Sequence, residues 1–170
     1  RANVFVETRP AEIRNLLSAQ SWKAKTDGFL YFETSMWNTD HPIAADTTPF
    51  TDWPAESWRL GTSFHGDGTM VYCGPDSTPL SSLHFEALRD GVEDYAYLKL
   101  LSEKLADNPK APWANEAKRL LACEQVRSVY DFDDRPERHY AWRNAIADLL
   151  ETPTVQAEES KGENGGVDTK

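Results

Sequence analysis

Asn3-Val4-Phe5-Val6-Glu7 and, further along, Phe29-Leu30-Tyr31-Phe32 are short continuous runs of apolar, β-branched and aromatic residues, the form taken by strands buried on both faces. Between them Pro10 can occupy a first helical turn. Ile13, Leu16, Leu17 and Gln20 follow at helical spacing, which predicts a helix to about Trp22, broken by Asp27-Gly28. Strand, helix and strand within 30 residues, 3–32, make a βαβ unit, whose crossover is right-handed and whose strands are parallel.

Working outward, Thr34 to Gly68 is the least regular stretch and holds Trp37, Trp53 and Trp58 with Pro42, Pro49 and Pro54. A loop this long inside a compact unit is functional or disordered, and three tryptophans argue against disorder. It leaves the C-terminal end of an expected parallel strand, the edge where α/β proteins build their sites. His65-Gly66-Asp67-Gly68 supplies tight-turn chemistry before Thr69–Cys73, expected as a last strand or hairpin arm.

From Ser82 the period changes. Leu88, Val92, Tyr95, Leu98, Leu101 and Leu105 step by three or four along one helical stripe. Gly91 lies inside this helix at a cost of about 1 kcal/mol relative to Ala, which predicts a close packing contact or a joint between two helices. A third helix is expected from Pro112 through Leu121. A fourth should start at Asp134, where Asp134 and Glu137 have capping-box spacing around Pro136, and run to Leu150. Residues 151–170 hold no aromatic residue and are rich in Glu, Gly and Thr, so they are read as a disordered acidic tail beyond a unit spanning 1–150. There is no internal repeat.

Lys and Arg total 18 against 28 Asp and Glu, a formal charge of -10. Such a field repels phosphate backbones and anionic headgroups, which disfavours nucleic acid and membrane partners. No run approaches the roughly 18 apolar residues needed to cross a bilayer. The two cysteines, Cys73 and Cys123, lack metal-type spacing and read as small buried residues. His41, His65, His84 and His139 show no paired or HExxH-like spacing, so neither a metal nor another cofactor is assigned.

Two segments taken together are distinctive. One is Asp27-Gly28-Phe29-Leu30-Tyr31-Phe32 followed by Trp37-Asn38. The other runs from Gly66-Asp67-Gly68 through Val71-Tyr72-Cys73-Gly74 to Leu88-Arg89-Asp90-Gly91-Val92-Glu93-Asp94-Tyr95. They resemble the C-terminal part of the catalytic domain of glycoside hydrolase family 123 and its wider relatives, over roughly residues 1–105. The family's phrase Leu-Arg-Asp-Gly-Ile-Glu-Asp-Tyr differs here only by Val92. Other departures are Phe32 where Trp is usual, Cys73 where Pro follows the Tyr, and Leu83-His84-Phe85-Glu86 in place of Ile-Arg-Leu-Glu; His84 removes a permanent cation.

The resemblance implies an α/β fold of the TIM-like (β/α) barrel type, cleaving β-linked N-acetylgalactosamine with the substrate's acetamido group as nucleophile. It also implies an adjacent Asp-Glu pair that protonates the leaving oxygen and orients the attacking group. No Asp-Glu dipeptide occurs in this sequence, and a barrel of about 250 residues and eight strands exceeds it, since two or three strands followed by several helices are legible. The chain is therefore expected to be a C-terminal segment whose partner is the missing N-terminal part of the same barrel, with a glycan as substrate and no catalytic residue of its own. Glu93-Asp94 is an acidic pair in reverse order, but adjacent helical residues diverge by about 100°, so the two are read as structural, pairing with Arg89 or capping neighbouring elements.

Substrate-facing candidates are Trp37, whose ring can stack on a sugar, Asn38, whose amide both donates and accepts, and Tyr31 and Glu33 at the strand end. Trp53 and Trp58 read as packing residues. Two other readings stand beside this one: a carbohydrate-binding or scaffold domain without catalysis, and a helical interaction module on residues 82–150 that meets a basic partner.

Overall fold

The computed structural model describes residues 10–31, 34, 59–60, 64–65, 70–73 and 78–153. The expected strand at 3–7, the loop residues Glu33, Trp37, Asn38, Trp53 and Trp58, and the tail from residue 154 lie outside the described residues.

The chain enters on α1 (Pro10–Asn15), with Pro10 and Glu12 in the first turn, continues through a π-helical turn (Leu16–Gln20) and ends in α2 (Ser21–Ala24). The π turn is marked by the Ser21 N–H donating to the Leu16 carbonyl, five residues back. The helix stops at Lys25, in the left-handed region at φ 55°, and not at Asp27-Gly28. The Thr26 N–H reaches back to the Ser21 carbonyl at 3.1 Å and the Lys25 N–H to that of Trp22 at 3.1 Å, so the last carbonyls are satisfied before the Asp-Gly pair is reached.

The expected second strand differs from the structure. Phe29, Leu30 and Tyr31 belong to no strand, and Leu30 is 87% exposed. A parallel strand is built on the N–H and C=O groups of its neighbours, and the neighbour expected for this one, at 3–7, lies outside the described residues. Three residues on, the Thr34 carbonyl accepts the N–H groups of Met70 (2.8 Å) and Val71 (3.1 Å), which ties this segment to the start of a later strand.

Two short antiparallel pairs follow: β1 (Arg59–Leu60) with β2 (Phe64–His65), and β3 (Val71–Cys73) with β4 (Pro79–Ser81). The hairpin arm expected at 69–73 is present as β3. Among the described residues there is no parallel pairing, and no barrel is formed.

Helices dominate the remainder. Helix α3 (Leu83–Asp107) starts where the Ser82 hydroxyl accepts the Phe85 N–H at 3.0 Å and runs unbroken through Gly91. Its buried positions are Ala87, Gly91, Asp94, Leu98 and Leu101. The C-terminal half of the expected stripe is therefore correct. The N-terminal half is rotated by one residue, leaving Val92 55% exposed, because small Gly91 and paired Asp94 face the neighbouring helix there.

Helix α4 (Ala114–Leu121) matches the expected third helix. Helix α5 (Pro136–Glu151) has Pro136 in its first turn, as expected, but its N-cap is Arg135 with no side-chain cap bond, so the capping box expected from Asp134 and Glu137 is absent. The Asp133 carboxylate instead accepts the Arg135 N–H at 3.2 Å.

Two cores result. Leu98 and Leu101 of α3 pack with Ala19, Trp113, Ala117, Leu120, Cys123, Val126 and Ile146, and Ile13, Met70 and Ala87 form a second cluster with Tyr31 and Val71 at its edge. At the far end of α3, the Lys104 ammonium donates to the carbonyls of Leu149 and Leu150, each at 2.8 Å, capping the C-terminus of α5 with a cation.

Candidate functional site

The phrase Arg89 to Tyr95 is the most informative run in the sequence, and on α3 its residues divide between two environments. Arg89 faces solvent and links to Glu86, Asp90 and Glu93. Gly91 lies against α1 so closely that a Cβ there would stand 2.8 Å from the Arg14 carbonyl oxygen and 2.9 Å from Leu17 Cβ. The close contact expected of this glycine is therefore present, and the joint is not. Tyr95 meets Trp22 edge-to-face, with ring centroids 5.6 Å apart.

Asp94 is fully buried and is the centre of the arrangement. Its Oδ2 accepts Arg14 Nε at 2.7 Å and His139 Nε2 at 2.7 Å; its Oδ1 accepts an Arg14 terminal nitrogen at 3.0 Å and Arg143 Nε at 2.8 Å. Burial pushes this carboxyl up, but the hydrogen bonds from His139 and Arg14 outweigh it and hold it below the ordinary 3.8. Burial likewise lowers Arg14, and the bond to Asp94 reverses that and raises it. Arg14 also stacks over Tyr140 at 4.9 Å and Arg143 over Tyr97 at 4.6 Å, so both guanidinium planes are backed by aromatic faces.

An ionised carboxylate engaged four times and closed off from solvent has neither a proton to give nor access to substrate. Asp94 is a structural anchor for three elements: α1, α3 and α5. Glu93 points elsewhere and is more than half exposed, as the divergence of adjacent helical residues requires. The expected partnership with Arg89 holds for Glu93 but not for Asp94. Residues 80, 45 and 49 positions away in the chain hold Asp94, and only their meeting in three dimensions identifies them. The available signal was faint: Arg14 interrupts an apolar helix face, and His139 and Arg143 stand four apart on α5.

Of the substrate-facing candidates, Tyr31 is described. Half-buried, it packs beside Ile13, Met70 and Ala87. Glu33, Trp37 and Asn38 lie outside the described residues. His139 serves Asp94, and among the described residues no group of three His, Cys, Asp or Glu could hold a metal ion. Among the same residues no helix is long and apolar enough to cross a membrane.

Residues 1–101, more than half of the chain, match the family described as glycoside hydrolase 123, catalytic domain. The chain belongs to the glycoside hydrolase 123 family. No curated protein matches it. The family 123 match contains Arg14, Gly91 and Asp94 and ends within α3, whereas His139 and Arg143 come from α5, beyond it. The second half of the Asp94 cluster is thus supplied by chain that the family description does not reach.

Proposed function

We propose that this chain is the C-terminal segment of a family 123 glycosidase acting on N-acetylhexosamine-containing glycans, N-acetylgalactosamine foremost, and that it contributes substrate-site wall without the catalytic pair. The observation that carries the reading is the family match over residues 1–101 in a sequence with no Asp-Glu dipeptide. The burial of Asp94 supports it, because this member of the acidic pair Glu93-Asp94 is committed to an internal ion-pair cluster, while Glu93 diverges from it on the helix surface. Substrate-assisted cleavage needs one carboxylic acid at the glycosidic oxygen and a second carboxylate for the acetamido group. In the complete barrel an upstream strand provides both, while Tyr31, Glu33, Trp37 and Asn38 line the sugar.

A chromogenic N-acetylgalactosaminide tests this on the purified chain. General acid catalysis is typically worth 10² to 10⁴ in rate, roughly, so release should stay near the buffer background. Sustained release abolished by Glu33→Gln would show a complete active site and overturn the reading. In the full-length parent, Trp37→Ala should reduce turnover more than Trp58→Ala. Glycan binding by a parent that lacks an upstream Asp-Glu pair would favour the carbohydrate-binding domain.

A further inference from the structure

Where the N-terminal turns of α1, α3 and α5 meet, they enclose a cleft of about 310 Å³, at the small end of the roughly 300–1,000 Å³ typical of small-molecule sites. Its lining combines apolar Leu83, Ala87 and Pro136 with polar Arg14, Glu86, Asp90, His139 and Tyr140. None belongs to the loop already proposed as substrate wall.

These polar groups are fixed before any ligand arrives. Arg14 backs one face of the Tyr140 ring at 4.9 Å, yet Tyr140 stays 52% exposed. Asp90 is held between Arg14 at 3.4 Å and Arg89 at 2.9 Å, and Glu86 between the Ser81 hydroxyl and Arg89. Each carboxylate keeps lone pairs toward solvent, with side chains 32% and 41% exposed. The Arg14 guanidinium is engaged by Asp94, Asp90 and the Tyr140 ring, Arg89 by Glu86, Asp90 and Glu93, and His139 Nε2 by Asp94, so each basic group described at the cleft already faces a carboxylate. A rigid aromatic face, two oriented acceptors and a small apolar wall suit a neutral ring that carries hydroxyls on its edge and a methyl group on one substituent.

We propose that this cleft binds one N-acetylhexosamine unit, its ring against Tyr140, two hydroxyls donating to Glu86 and Asp90, and its acetyl methyl against Ala87 and Leu83. It is a second sugar site, separate from the wall at residues 31–68. The assignment rests on the glycan reading of the family. Because Pro136 and Tyr140 belong to α5, the site requires chain beyond the family match.

The test is an NMR titration of the whole chain with the methyl β-glycoside of N-acetylgalactosamine, to concentrations on the order of 10 mM, where single-sugar affinities fall. Intermolecular NOEs from the sugar ring to the Tyr140 ring and from the acetyl methyl to Ala87 are expected in the unmodified protein. Tyr140→Ala should weaken binding by about tenfold or more, Tyr140→Phe by less than about threefold, and Glu86→Gln by several-fold; a methyl β-galactoside without the acetamido group should bind more weakly than the parent sugar. No binding, or binding without NOEs to Tyr140 and indifferent to Glu86→Gln, overturns the proposal. If that binding is instead lost in Trp37→Ala, the substrate wall stands and the cleft does not. NOEs to Tyr140, combined with a full-length parent whose turnover ignores Trp37→Ala, would leave the cleft in place and displace the wall.

Discussion

Asp94→Asn removes one charge and almost no volume, so its effect isolates the electrostatic part of the Asp94 cluster. Each carboxylate oxygen takes two donors: Oδ2 from Arg14 and His139, Oδ1 from Arg14 and Arg143. An NH2 at the Oδ1 position faces two guanidinium donors, from Arg14 and Arg143, with a donor; at the Oδ2 position it faces Arg14 Nε, while His139 can change tautomer and accept. At least one charge-assisted bond is lost, Arg143 loses its Asp94 counter-charge, and nearly buried Arg14 keeps only the longer 3.4 Å contact to Asp90. Breaking a buried pair in this way costs about 3–5 kcal/mol, against a total stability of roughly 5–15 kcal/mol for an ordinary domain.

With a urea m-value near 2 kcal/mol/M, the midpoint should fall by about 2 M, read by tryptophan fluorescence and circular dichroism. The acid limb adds an independent check. The folded Asp94 carboxyl lies below its unfolded value of 3.8, so its contribution is complete above that pH and is lost as pH falls through the lower folded value. The Asn variant should lack that part of the acid dependence. An unfolding free energy at pH 7 within about 0.5 kcal/mol of the unmodified protein, or an unchanged acid limb, would refute the reasoning.

Other substitutions probe the same packing. Gly91→Ala gains about 1 kcal/mol of helix propensity, but its Cβ would meet the Arg14 carbonyl at 2.8 Å, a backbone atom that cannot swing aside; overpacking of about 1–3 kcal/mol should win, and a melting temperature above that of the parent chain would contradict this. Asn15 is 1% exposed and neither amide atom is hydrogen-bonded among the described residues, so Asn15→Leu should leave stability unchanged or raise it by about 1 kcal/mol, and a loss of that size in the same melt would point to a partner for the amide. Cys123 is buried and its thiol is pushed up to about 12 by burial. In a Cys73→Ser background, which leaves Cys123 as the sole thiol, reaction with a thiol reagent at pH 8 should follow global unfolding, and prompt labelling of the native chain would be the contrary result.

Much of the helical architecture was legible because period and punctuation are local properties. Leu98, Leu101 and Leu105 mark their own stripe, Ser82 and Pro136 mark starts, and the phrase Leu88 to Tyr95 marks the family. Glycine inside a helix announced a close approach, and Gly91 makes one. These signals depend on residues within a few turns of one another, so the sequence suffices to read them.

What the tertiary structure alone decided is which residues those signals meet. Whether Phe29–Tyr31 forms a strand depends on which residues meet its edges, which the apolar character of the run does not specify. The buried face at the start of α3 passes through Asp94 and not Tyr95 because Arg14, His139 and Arg143, from two other helices, converge there. A carboxylate is an unfavourable core residue until its counter-charges are in place. Only the fold brings them together.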